Sequence, residues 1–285
     1  MNKRGKLVDG IDKLNQAIDY IEQHLNEDID YQVLADIAGC SSYYFQKLFL
    51  YMAQLSLSEY IRFRRLSMAA VDLQKTKCKV IDAALTYGYD SPTAFNRAFK
   101  RFHGAAPSMV KQGKASFIAY PPIRFSVLKQ GGDELSVRIE KKPAIRILGI
   151  ACPLAKNLEQ NFKAVPDQWQ AAVVNGKLIE LVLMNNAYPN ALLGVSIHHG
   201  EEWKYMIASA STINNHDYEE YFIQAGSWAV FSGQGDNRSL QALQRRVLLE
   251  WLPTSGYECD DAADVEVYFK ADPHSAIYEY WLPIK

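Results

Sequence analysis

Leu34-Ala35-Asp36-Ile37-Ala38-Gly39-Cys40-Ser41-Ser42-Tyr43-Tyr44-Phe45-Gln46-Lys47-Leu48-Phe49 decides the fold of the first half of this chain, because the pattern comes twice. Its second rendering, 49 to 50 residues on, is Ala83-Ala84-Leu85-Thr86-Tyr87-Gly88-Tyr89-Asp90-Ser91-Pro92-Thr93-Ala94-Phe95-Asn96-Arg97-Ala98-Phe99. Each has a short apolar segment, a Gly four residues after an Ala, a Ser near a new helix start and a second short helix. That spacing describes a helix-turn-helix, in which Gly admits the tight turn and the second helix enters the DNA major groove. Two copies let one subunit read two groove segments, which single-copy proteins achieve only as dimers.

The chain has 285 residues, enough for two domains with their own cores. No stretch approaches the ~20 apolar residues that span a bilayer, and the basic start Met1-Asn2-Lys3-Arg4-Gly5-Lys6 leads into a charged amphipathic segment, so a cytoplasmic protein is expected. Cys40, Cys78, Cys152 and Cys259 lack the paired spacing of zinc or redox sites. The net charge of −1 hides an asymmetry. Residues 31–114 hold 12 Lys and Arg against 5 Asp and Glu, whereas residues 115–285 hold 15 against 20. A basic half suits a polyanion and an acidic half is kept off it.

Ile11, Leu14, Ile18, Ile21 and Leu25 recur at helical spacing. Helices are expected over 31–38, 42–51, 58–74, 80–87 and 92–103, with Gly104 and Pro107 as stop signals. Between Ala115 and Gly132, Tyr120-Pro121-Pro122 and Gly131-Gly132 read as a connector. Beyond it, a strand, turn and strand are expected over 135–150, helical stretches over 161–184 and paired strands over 192–198 and 203–210. The order then recurs as strand 225–232, helix 239–251 and strands 265–270 and 276–282. The expected fold is therefore multidomain: an all-α DNA-binding domain (8–113), a linker (114–133) and an α+β domain (134–285) of two strand–helix–strand–strand halves around a shared cleft.

In the first recognition helix Phe45, Leu48 and Phe49 share one face, and Tyr43, Gln46 and Lys47 the other. In the second, Phe95, Ala98 and Phe99 turn inward, leaving Thr93, Asn96, Arg97 and Lys100 outward. Gln and Asn can bridge adenine, Arg or Lys guanine, and Tyr or Thr can meet a thymine methyl. Residues 11–111 resemble the DNA-binding domain of the AraC/XylS family of bacterial transcription regulators. The resemblance rests on Leu34-Ala35, Phe45-x-x-x-Phe49, Tyr60-Ile61-Arg62-x-Arg64-Arg65, Gly88-Tyr89, Phe95-x-x-x-Phe99 and Gly104-x-x-Pro107. It implies two recognition helices in successive major grooves, separated by the long helix, with base contacts from Tyr43, Gln46, Lys47, Thr93, Asn96 and Arg97. It also implies a phosphate contact from Arg62, whose alternative role is pairing with Glu59 or Asp72. The first copy carries Gln54 and Leu57 where the second has Gly104 and Pro107, so a different exit from that helix is expected. Pro92 removes one possible base contact.

Residues 134–285 resemble the GyrI-like effector-binding domain of Rob-type regulators. The resemblance is carried by Val137-Arg138-Ile139, Pro143-Ala144, Gly149-Ile150, Trp251-Leu252-Pro253-x-Ser255-Gly256-Tyr257-Glu258, Val265-Glu266-Val267-Tyr268 and Leu282-Pro283-Ile284. It implies a cleft for a small, hydrophobic, often cationic effector. Strand alternation puts Glu266 and Tyr268 on the face opposite Val265, Val267 and Phe269. A carboxylate beside aromatic rings suits an organic cation. Trp169, Trp203, Trp228 and Tyr280 are candidate wall residues. Chemistry finds little support: His198-His199, followed by Gly200-Glu201-Glu202, points to opposite faces of a strand, and Gly233-Gln234-Gly235 is a lone turn. The reading is a regulator, not an enzyme, with no cofactor, whose sensor alters how the DNA-binding half engages promoter or RNA polymerase. The alternative is a ligand-binding or small-molecule hydrolase domain, with Glu266 and Tyr268 as an acid–base pair, tethered to DNA by the basic half.

Overall fold

In a computed structural model, which describes residues 3–76, 78–126, 134–198, 203–272 and 274–285, small polar side chains start most helices of the first half. The second helix, α2 (Tyr31–Ala38), follows α1 (Lys3–Gln23). Asp30 caps it by accepting from Gln32 N, and Gly39 ends it in the left-handed region at φ 72°. Ser41 caps α3 (Ser42–Ala53). Ser56 and Glu59 form a reciprocal capping box on α4 (Leu57–Lys75). After α5 (Val80–Thr86), Ser91 caps α6 (Pro92–His103), whose Pro92 fits the first turn, and Gly104 closes it at φ 77°. Pro107, expected as a stop, instead opens a further short helix, α7 (Pro107–Lys111), since the ring supplies a helical φ and the absent N–H has no partner there. Gln54 corrects another expectation. It leaves α3 in the same left-handed conformation as Gly104, at φ 59°, although it carries a side chain.

From Val8 onward these helices belong to a compact unit, Val8–Leu128. It holds two apolar cores. One joins Leu14, Ile18, Ile21, Leu34, Phe45, Phe49 and Tyr60; the other joins Leu66, Ala69, Leu73, Ala84, Phe95, Phe99 and Val110. The long helix α4 supplies its first turns to one and its last turns to the other. The stretch 115–126 has no helix, as its Tyr-Pro-Pro run predicts, but it is packed: Phe117 joins the second core, and Tyr120, Ile123 and Phe125 join the first. Gly131-Gly132 and His199-Gly200-Glu201-Glu202 lie outside the described residues.

The second unit comprises Lys129–Lys285 together with Met1–Leu7. Its strands are β1 (Val137–Lys142), β2 (Ile145–Leu154), β3 (Leu192–Ile197), β4 (Trp203–Ala210), β5 (Glu219–Ile223), β6 (Gly226–Gly235), β7 (Asp264–Lys270) and β8 (Ala276–Ile284). They form one antiparallel sheet in the order β1-β6-β8-β7-β3-β4-β2-β5. The order reads alike from either edge inward, so β6-β8-β7 mirrors β2-β4-β3 across the central β7–β3 pair: the two halves read from sequence. Helices α8 (Leu158–Val174) and α9 (Lys177–Met184) pack on β2 and on β4 and β3, and α10 (Asn237–Arg246) packs on β6 and β8. The single helix expected over 239–251 becomes α10, a π-helical turn at Val247–Trp251 and α11 (Leu252–Ser255). Gly233-Gln234-Gly235 belongs to β6 and is not a turn. A Cβ on Gly233 would stand 2.5 Å from the Tyr278 ring across the pair, so the strand needs glycine there.

Candidate DNA interface and ligand site

The turn of the second helix-turn-helix is set by Gly88 at φ 76°, where a Cβ would meet the Arg65 guanidinium at 2.9 Å. That guanidinium donates to Leu25 O and Glu27 O, at 2.9 and 2.5 Å, and is held in place by them. With Phe95 and Phe99 anchored in the core, Thr93, Asn96, Arg97 and Lys100 all stand exposed on the other side of α6, at i, i+3, i+4 and i+7. Tyr43, Gln46 and Lys47 lie on α3 away from Phe45 and Phe49, but in contrast to α6 all three are buried. Part of each is taken up within α3: Gln46 donates to Ser42 Oγ at 3.4 Å, and the Lys47 ammonium stands 5.3 Å from the centre of the Tyr43 ring. Arg62 is half exposed and pairs with Glu59 at 3.6 Å. It lines a hollow with Arg65, Ser58 and Tyr89. Arg64, next in the same basic run, turns the other way. It is buried against Glu22, with N–O distances of 2.6 to 3.0 Å, and Tyr60 donates to the same carboxylate at 2.7 Å.

In the second unit, Glu266 sits on the central strand β7, opposite Gly194 of β3 and Tyr280 of β8. Its Oε2 accepts from Tyr205 Oη at 2.9 Å and Tyr268 Oη at 3.0 Å, and its Oε1 from Gln244 Nε2 at 2.8 Å. Trp169 of α8 donates to Tyr205 Oη at 3.0 Å and stands edge-on to Tyr268 with ring centres 5.3 Å apart. Burial first, and the Glu266 charge second, hold both phenols well above their usual pKa, so they stay donors at any physiological pH. Gly194 makes the room: a Cβ there would fall 2.1 Å from Tyr205 Oη and 2.8 Å from Glu266 Oε2. The result is a half-buried carboxylate oriented by neutral donors in an aromatic surround.

Of the wall residues expected from sequence, Trp169 is in the cluster and Tyr280 is its neighbour, fully buried and donating to Asp264 Oδ2 at 3.1 Å. Trp228 is not in the cluster. Strand alternation and register put it on the opposite face, in the core with Val230, Val265 and Trp281. Trp203 is buried at the start of β4. Sequence reasoning missed Tyr205, Gln244 and Gly194. His198 is buried with Nε2 3.7 Å from Asp264 Oδ1, and among the described residues no group of three His, Cys, Asp or Glu could hold a metal.

Residues 135–285 match the family described as a GyrI-like small molecule binding domain, and residues 34–113 match a helix-turn-helix domain family. The regulatory protein SoxS of Salmonella typhimurium is 37% identical over 95 residues, 33% of this chain and 89% of SoxS. The right origin-binding protein of Escherichia coli K12 is 24% identical over 267 residues, 90% of each chain. The structure of SAV2435 bound to tetraphenylphosphonium superposes with a TM-score of 0.47 at 22% identity, over 53% of this chain and 94% of that one. No helix among the described residues is long and apolar enough to cross a membrane.

Proposed function

From the premise that the chain belongs to the AraC-type transcription regulators that carry a GyrI-like small molecule binding domain, we propose how it reads DNA and what it senses. The helices α3 and α6 read two groove segments, through Tyr43, Gln46 and Lys47 on one and Thr93, Asn96, Arg97 and Lys100 on the other; the α6 set is already exposed, whereas the α3 set is buried in this structure and must be uncovered before it meets bases. Arg62 meets the phosphate backbone between them. The sheet unit takes a small, apolar, cationic effector over Glu266, with Tyr268 and Trp169 as aromatic faces and Tyr280 behind the carboxylate; Trp228 has no part in it. The observation that carries the sensing role is the Glu266 cluster: a carboxylate oriented by hydrogen bonds from Tyr205, Tyr268 and Gln244 offers ion pairing, and the Tyr268 and Trp169 rings beside it offer cation–π contact.

The protein works in the cytoplasm as a regulator without catalytic turnover, and its ligand state alters the engagement of promoter or RNA polymerase by differential affinity for two conformations. The acid–base pair of the alternative reading is disfavoured because the Tyr268 proton is committed to Glu266 and hard to remove. A promoter-reporter assay with lipophilic cations, run beside chromatographic recovery of those compounds, tests this. Ligand-dependent output with the compound recovered intact supports the regulator; consumption of the compound without change in output supports the tethered hydrolase.

A further inference from the structure

We propose that residues 115–126 are a strap that fixes the spacing of the two recognition helices, and so the spacing of the DNA segments the chain selects. The inference rests on the reading that α3 and α6 both engage DNA. The two cores of the helical unit share α4, and one helix alone leaves two small modules free to twist about it. The strap adds a second link. Its amides and carbonyls are tied, in order, to α6, α4 and α1. Ile118 N donates to His103 Nδ1 at 3.0 Å; Tyr120 N donates to Ser67 Oγ at 3.0 Å, and Arg64 donates to Tyr120 O. Further on, Ile123 N donates to Tyr60 Oη at 3.3 Å. Asn15 then holds Phe125 on both sides, accepting from its N and donating to its O at 2.9 Å each.

Ring contacts follow the same path: Phe117 on His103, Tyr120 on Phe63 and Tyr60, Phe125 on Phe49. An extended segment that spends its backbone bonds on side chains from three helices has a fixed course, because each bond removes freedom from both partners. Its first ring lies in the core that carries α6 and its last in the core that carries α3. Asn15, Ser67 and the strap are therefore positioning residues for DNA reading.

The test compares the full chain with Asn15→Ala/Ser67→Ala/Tyr120→Ala on duplexes whose two contacted segments are one base pair closer, native, or one base pair further apart. One base pair shifts the second segment by about 3.4 Å and a tenth of a turn. The unaltered chain is expected to lose affinity about tenfold for either change, as for a mismatched base pair. The variant is expected to lose less than about threefold, while binding the native spacing more weakly. Hydrogen exchange keeps the comparison sound: the amides of Ile118, Tyr120, Ile123 and Phe125 should exchange fast in the variant while those of Phe49 and Phe99 stay protected. A released strap with an unchanged spacing preference overturns the proposal, as does a strap that stays protected without these bonds. If the unaltered chain itself is indifferent to spacing, the two-segment reading falls first and the strap proposal with it.

Discussion

Replacing Glu266 by Gln separates charge from shape at the proposed effector site. A cation centred about 5 Å from the carboxylate, at the effective dielectric of about 20 suited to partly buried sites, gains about 3 kcal/mol, or roughly two hundredfold in affinity. The substitution itself fits the site. The Gln carbonyl oxygen can stand where Oε2 accepts from Tyr205 and Tyr268. Its amide then faces Gln244 Nε2, and Gln244 can turn its own amide over to accept. The fold should therefore lose no more than about 1 kcal/mol in urea unfolding. Isothermal titration with a tetraalkyl cation and its uncharged carbon isostere, on both proteins, reads the result. The cation should weaken by one hundredfold or more and the isostere by less than about threefold. Equal losses for both ligands, or none for either, would remove the carboxylate from the site and leave Glu266 a structural residue of β7.

Gly194→Ala should displace Tyr205 and Glu266, costing about 1–3 kcal/mol in thermal unfolding and most of the cation affinity, because its Cβ would overlap both groups. Arg64→Met strands the Glu22 carboxylate and should cost about 3–5 kcal/mol, which Glu22→Gln on the same chain should largely restore; equal instability of single and double variants in urea denaturation would count against the ion pair. Gln54→Gly relieves a left-handed residue and should raise stability by about 0.5–1 kcal/mol; a loss would mean the bond from Gln54 Nε2 to Tyr51 O outweighs it. His103 is buried, with Nδ1 accepting from Ile118 N, so burial lowers its pKa below 6.5 in the folded state. Its contribution is complete above pH 6.5 and lost as pH falls through the lowered value; urea midpoints between pH 7 and 5 should fall more steeply than in His103→Gln.

What sequence carried well was local. The turn glycines and serine caps fixed α2, α3, α5 and α6 because those signals act within a few residues. The alternation around Glu266 placed it and Tyr268 on one face for the same reason. The misreadings were long-range. The strap reads as a connector because its order comes from Asn15, Tyr60, Ser67 and His103, which lie 15 to 110 residues away. Trp228 could be given a strand but not a face relative to Glu266, since the parity between β6 and β7 is set through β8. Tyr205 and Gly194 lie in strands buried almost throughout, where period-2 contrast vanishes; a lone Gly in Leu-Leu-Gly-Val-Ser-Ile was the available signal that something large approaches from across the sheet.

The claim at the centre is that one chain reads two groove segments with α3 and α6. It is tested most directly by measuring binding to a library of every single-base-pair change in the bound site, for the unaltered chain, Gln46→Ala and Arg97→Ala. Each substitution should cost about 1–3 kcal/mol and erase preference at its own position, with the two positions about 10 bp apart on a site occupied by one chain. Preference lost at the same position in both variants, or unchanged in either, would contradict the account.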